Sequence, residues 1–363
     1  MKIDLIAGAR PNFMKIAPII DAIHKAQKGG DKISYRLIHT GQHYDKNMSD
    51  SFFEQLGIPQ PDVNLGAGGG SQAEQTASIM VGYEKLVMSE KSDLCLVVGD
   101  VTSTMACSIV AQKLHVPVAH IEAGIRSNDW TMPEEINRLV TDAITNYFFT
   151  TTLEAGRNLI ESGVDKNKIF WVGNTMIDTL LKHRNRFQQP SFWAELGLQK
   201  NDYLVMTLHR PANVDEDDKL KVLIDEIIAN SHGLPLIFPA HPRTAKILTK
   251  LSISYENLHI IEPLGYLEFN YLVENSRAVI TDSGGITEET TVMGVPCITL
   301  RDNTERPETV TIGTNELIGT DPRSIKPTME KLFSGKWKKG VIPELWDGKA
   351  GQRIVNTLVS LIK

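Results

Sequence analysis

An α/β chain with two doubly wound parallel-sheet domains is the fold class the sequence predicts, on three observations. Short, nearly continuous apolar runs alternate with helical patterns along most of the chain, as parallel strands buried between two helical layers do. The alternation breaks once, at a charged and aromatic segment over 182–199 with Pro190 in its middle, and then restarts. A length of 363 residues also exceeds what one hydrophobic core usually serves.

The first strand-like run, 2–7, ends at Gly8 and leads into Arg10-Pro11-Asn12-Phe13-Met14-Lys15. Gly8 allows a sharp turn, and Pro11 suits a first helical turn because its absent N–H would have no partner there. Ile16, Ile19, Ile20 and Ile23 then recur at helical spacing until Gly29-Gly30 stops the helix. Further strands are predicted over 36–38, 94–98, 116–121, 147–151 and 169–172, and after the break over 203–207, 234–239, 258–261, 278–281 and 297–300. The expected domains are therefore 1–180 and 181–345, with a C-terminal helix over 350–362 in the remaining segment 346–363.

In open α/β sheets a ligand lies beyond the carboxyl ends of the strands, and two such sheets facing each other would hold it in the cleft between them. Polar residues follow strand after strand: Arg10 and Lys15, Gln42 and His43, Asp100, Glu122 and Arg126, His209 and Arg210, His241 and Arg243, Asp282 to Gly285, and Arg301. Arg10 and Lys15 beside a helix N-terminus suit an anionic group such as phosphate, the alternative being a solvated basic pair. Asp100 either caps the helix beginning near Thr102 or serves as an acid or base, and Glu122 occupies the equivalent place on the next strand. In Met132-Pro133-Glu134-Glu135-Ile136-Asn137-Arg138, Pro133 marks a helix start, and Glu134 with Arg138 is spaced for a purely structural i,i+4 ion pair. Thr281-Asp282-Ser283-Gly284-Gly285 opens a helix and forms a candidate pyrophosphate cradle, with Glu289 a turn further on able to accept from a ribose.

A formal charge of −6 excludes a protein that works by neutralising phosphates along nucleic acid. Cys95, Cys107 and Cys297 are too few and too scattered for a disulfide framework, and no spacing fits a metal site, so no metal is expected. No apolar run approaches a membrane span, and a cytoplasmic protein without membrane contact is expected.

Read together, GARPNFMK, VVGDVTST, HIEAGIRS, MPEEINR, LHRPANVD, TDSGGITEE and RDNTERPE, spread from about residue 3 to 320, resemble in identity and order the non-hydrolysing UDP-N-acetylglucosamine 2-epimerases. The resemblance implies the glycosyltransferase-B architecture of two Rossmann-like domains, with the C-terminal helix packing back toward the first. It implies Asp100, Glu122 and Glu134 as acid/base carboxylates, supported by Arg138 and His209. Arg10, Lys15, His209, Ser283, Gly284 and Gly285 would hold a UDP diphosphate, Glu289 the ribose and Phe269 the uracil, with His241 and Arg306 as further substrate contacts. A UDP-sugar substrate, no cofactor and a homodimer are implied. So is a reaction that eliminates UDP across C1 and C2 to a 2-acetamidoglucal and adds it back.

The chain departs from the family at two places. Where the allosterically activated version has Arg-Gln-Thr, this chain has Glu74-Gln75-Thr76, and where HRREN is common it has His209-Arg210-Pro211-Ala212-Asn213. These forms, with 66–72, are closer to the branch acting on modified sugars such as UDP-2,3-diacetamido-2,3-dideoxyglucuronic acid. A hydrolysing epimerase, a retaining glycosyltransferase on the same fold and a UDP-sugar-binding regulator are the competing readings.

Overall fold

The computed structural model describes all residues except 42–52, 215, 216, 241, 252 and 363. The chain divides into two compact units, Met1–Lys182 with Glu344–Lys363, and His183–Pro343. The first unit is built on seven parallel strands, β1 (Lys2–Ala7), β2 (Ser34–His39), β3 (Val63–Asn64), β4 (Leu94–Val98), β5 (Val118–Ile121), β6 (Tyr147–Thr150) and β7 (Ile169–Trp171), in the order β3-β2-β1-β4-β5-β6-β7. The second has six, β8 (Leu204–Thr207), β9 (Leu236–Pro239), β10 (Leu258–Ile261), β11 (Ala278–Thr281), β12 (Cys297–Thr299) and β13 (Asn315–Leu317), in the order β10-β9-β8-β11-β12-β13. Each order reverses at a switch point, between β1 and β4 and between β8 and β11, where doubly wound sheets open a crevice.

Strand periodicity explains the apolar runs. In β8 and its neighbours, Leu204, Met206, Phe238 and Ile280 enter one core, while Tyr203, Val205, Ile237 and Val279 enter another. Successive side chains point to opposite faces, so a sheet covered by helices on both faces must be apolar at every position. In the first unit, Ile6, Ile38 and Val97 pack with Ile79 and Tyr83 of the Gln72–Ser89 helix and Ala106 and Val110 of the Thr102–Lys113 helix. The three cysteines are buried thiols, and no helix among the described residues is long and apolar enough to cross a membrane.

The C-terminal helix, Ala350–Ile362, packs within the first unit against the Arg10–Lys28 helix. Asp178 receives its first N–H groups, from Ala350 at 3.1 Å and Gly351 at 2.8 Å. A Cβ on Gly351 would lie 2.6 Å from the Pro18 carbonyl oxygen. Gly351→Ala is therefore expected to destabilise the protein by about 1–3 kcal/mol through overpacking; thermal unfolding checks this, and an unchanged Tm would contradict it.

Candidate functional site

At the switch point of the first unit, Asn12 fastens the two strand ends together. Its Oδ1 accepts from Gly8 N at 3.2 Å and Ala9 N at 2.9 Å, and its Nδ2 donates to Val98 O at 3.0 Å. Lys15, a turn along the same helix, is ion-paired with Glu122 Oε2 at 2.7 Å. A Cβ on Gly99 would stand 3.5 Å from Lys15 Nζ, 3.7 Å from Asn12 Nδ2 and 3.9 Å from Glu122 Oε2, so this glycine floors the point where the three meet. Arg10 holds the first helical position, and burial lowers its guanidinium below the ordinary value.

Glu122 itself has a φ of 67°, in the left-handed region where a non-glycine residue is strained by roughly 1–3 kcal/mol. A layer behind it over-determines that conformation. The His120 ring bridges Asp142 Oδ1 at 2.7 Å and Gly99 O at 2.8 Å, while Asp142 Oδ2 accepts from Gly124 N at 3.1 Å and Arg126 Nη1 at 2.6 Å. Burial alone would raise the Asp142 carboxyl, but His120 and Arg126 pull it below the usual range. A cavity of about 400 Å3 is lined by Arg126, Asp142 and Lys168, and of the strand-end candidates Arg126 alone reaches it.

Two sequence expectations are corrected here. Asp100 does not cap the Thr102–Lys113 helix, whose N-cap is Val101 without a side-chain bond; its Oδ2 accepts instead from Arg138 Nη2 at 2.5 Å. Nor do Glu134 and Arg138 pair at i,i+4. Arg138 turns inward and its Nη1 binds Glu135 Oε2 at 2.6 Å. Spacing permits both partners, but the buried face of the Pro133–Ala143 helix carries Glu135, Asn137 and Arg138 and leaves Glu134 half-buried. Glu135 also accepts from Ser127 N at 2.9 Å and Asn128 N at 3.0 Å. Burial opposes its ionisation, yet these N–H groups and Arg138 hold its carboxyl below the usual range.

The switch point of the second unit is organised by Asp282, which the sequence reading met only as a strand-end polar residue. Its carboxylate is fully buried and accepts from His209 N, Arg210 N at 3.0 Å and Asn213 Nδ2 at 3.0 Å, and it lies 2.7 Å from His209 Nδ1. Only His209 Nε2 is thereby left to face outward, on a side chain 59% exposed. Ser283 is the N-cap of the Gly284–Met293 helix, and its hydroxyl makes no capping bond. Phe269 is half-buried against the core around Tyr203 and Val279. Arg306 Nε pairs with Glu288 Oε1 at 2.8 Å. His241, Gln42 and His43 lie outside the described residues.

Glu289 is buried, and its Oε1 accepts from the Tyr266 hydroxyl at 2.9 Å. Burial pushes its carboxyl up to about 7, Glu288 adding to the rise while Tyr266 and Asn270 oppose it. A carboxyl raised in the folded state binds its proton more tightly there, so its contribution to stability is present below the ordinary carboxylate pKa and is lost as pH rises toward 7. Glu289→Gln is expected to flatten the fall in Tm between pH 5 and pH 8; an unaltered pH profile would contradict the assignment.

Among the described residues, no three His, Cys, Asp or Glu side chains are grouped to hold a metal ion. The first unit thus brings Lys15 to Glu122 and Arg138 to Asp100 at its strand ends, and the second places His209 beside Asp282, next to Ser283, while Glu289 and Arg306 are held by Tyr266 and Glu288.

Comparison with known proteins adds an independent finding. The family model for UDP-N-acetylglucosamine 2-epimerase matches residues 25–359. A UDP-N-acetylglucosamine 2-epimerase of Methanocaldococcus jannaschii is 42% identical, the match covering 99% of each chain. A UDP-2,3-diacetamido-2,3-dideoxy-D-glucuronate 2-epimerase of Pseudomonas aeruginosa is also 42% identical, over 99% of this chain and all of the relative. The crystal structure of the M. jannaschii UDP-GlcNAc 2-epimerase in complex with UDP-GlcNAc and UDP matches with a TM-score of 0.88, at 42% identity, over 99% of this chain and 100% of that one.

Proposed function

The chain belongs to the UDP-N-acetylglucosamine 2-epimerase family of enzymes, with its glycosyltransferase-B-type α/β fold, and from that premise we propose that it inverts C2 of a UDP-2-acetamido sugar, UDP-GlcNAc to UDP-ManNAc. The C2 proton is not next to a carbonyl, so simple deprotonation is too difficult near neutral pH. Elimination avoids this. A carboxylate takes the C2 proton as the C1–O bond to the diphosphate breaks, leaving UDP and a 2-acetamidoglucal. A second carboxylic acid then protonates C2 on the opposite face while a diphosphate oxygen re-forms the bond at C1. Asp100, Glu122 and Glu134 are the proton-transfer groups in this reading. Ser283, the glycines, Arg10 and His209 steady the departing diphosphate.

The observation that carries the reading is Glu122, a buried carboxylate in a strained backbone conformation, paired with Lys15 at a switch point. A group held so firmly, at some cost in strain, suits a proton-transfer role better than a structural one.

A second substrate, the diacetamido uronic acid analogue, is favoured by the P. aeruginosa relative and by Glu74. That residue accepts from Ser71 N at 2.8 Å, while Ser71 Oγ accepts from Glu74 N at 3.3 Å, completing a capping box. It places a helix-capping acid where the activated version carries arginine, so activation by a second UDP-GlcNAc is not expected. The same reading makes the protein a cytoplasmic homodimer supplying cell-envelope polysaccharide precursors, and light scattering tests the dimer. Proton NMR of the products from each UDP-sugar tests the function. A UDP-linked manno product is expected; free sugar with UDP would mean a hydrolysing enzyme, and binding without product would return the regulator.

A further inference from the structure

The glycines after β11 serve more than ligand approach. A Cβ on Gly284 would lie 2.5 Å from Glu305 Oε1 and 3.8 Å from Arg301 Nη1, so a carboxylate and a guanidinium crowd the first turn of the Gly284–Met293 helix. Arg301 follows β12, the strand next to β11, and its side chain is only 4% exposed. Its Nη2 donates to Glu305 Oε2 at 2.6 Å and reaches Asn303 Oδ1 at 3.3 Å. Its Nε and Nη1 are buried and have no hydrogen-bond partner among the described residues.

Buried guanidinium N–H groups without acceptors are rare because they forfeit hydration without compensation. Here Nη1 adjoins a helix N-terminus, whose own N–H groups and dipole attract an anion. Glu305 meets only part of that demand, and one carboxylate cannot serve the guanidinium and the helix end completely.

We propose that Arg301 is a further anion-binding residue of the second unit, supplying positive charge to a diphosphate at Ser283-Gly284, and that Glu305 orients Arg301 while partly neutralising it. The proposal rests on the UDP-sugar reading for the identity of the anion. It makes an electrostatic prediction that a merely structural ion pair does not. Removing the guanidinium weakens anion binding; removing the carboxylate's charge strengthens it.

The test is calorimetric titration of the full-length protein with UDP, uridine and inorganic pyrophosphate, using wild type, Arg301→Gln and Glu305→Gln. Arg301→Gln is expected to raise the UDP Kd about tenfold or more, the size of a lost charge-assisted hydrogen bond. Glu305→Gln is expected to lower it several-fold, with uridine affinity unchanged in both. The proposal is overturned if Arg301→Gln leaves UDP and pyrophosphate affinity within twofold, or if the two substitutions move affinity in the same direction. Pyrophosphate binding that depends on Arg301, in a wild type that does not bind UDP, would keep the anion site and reject the nucleotide reading instead.

Discussion

Glu122→Gln is expected to lower turnover roughly a hundred- to ten-thousand-fold, the usual worth of a positioned acid or base, while UDP affinity stays within a few-fold. The amide has nearly the shape of the carboxylate but cannot take a proton from carbon. Because Glu122 is paired with Lys15 at 2.7 Å, the substitution also releases that ammonium, so any change in UDP affinity should be toward tighter binding. Steady-state kinetics with calorimetry separates the two effects. Wild-type turnover in this variant would remove Glu122 from the proton-transfer step.

Asp282→Asn should be the most damaging conservative change in the second unit, costing about 3 kcal/mol or more. The carboxylate is surrounded by donors from His209, Arg210 and Asn213, and an amide would present its own N–H groups to one or more of them. Burial by itself would raise the Asp282 carboxyl, but His209, Asn213 and Arg210 hold it below the ordinary value. A depressed folded-state pKa contributes stability above the unfolded value and loses it as pH falls through the folded one. Wild type should therefore lose stability on acidification below about pH 4, and the variant should lose less over that range. The substitution also frees His209 to flip, so kcat/KM should fall with stability. Urea unfolding that gives equal midpoints for the two proteins would refute the role given to Asp282.

Much of the fold was legible because buried parallel strands must be apolar throughout. The runs at 94–98, 258–261 and 278–281 coincide with β4, β10 and β11. The edge strands β3 and β13 escaped for the same reason in reverse: Val63-Asn64 and Asn315-Glu316-Leu317 are short and carry polar residues that no apolar-run criterion selects. At the site, the residues just past each strand were readable, since a strand, a tight turn and a helix in succession fix where their backbone lies.

Partners were less readable. Glu134 and Glu135 are both spaced to reach Arg138, and only the tertiary burial of one helix face decides for Glu135. Asn12 and Asp282 act across long sequence separations, Asn12 on Val98 at the end of β4 and Asp282 on His209 just past β8. Such pairings have no local period. A carboxylate immediately after a strand at a switch point is the signal that could have singled out Asp282; Asn12, in the first turn of its helix, carries no such mark.

The proposed mechanism breaks the C2–H bond during turnover and returns to C2 a proton from a second acid that exchanges with solvent. The most direct test is turnover of UDP-N-acetylglucosamine, and of its 2,3-diacetamido uronic acid analogue, in deuterated water with NMR detection at C2. A UDP-linked manno product carrying deuterium at C2 is expected. A manno product that retains the original hydrogen at C2 would contradict the mechanism.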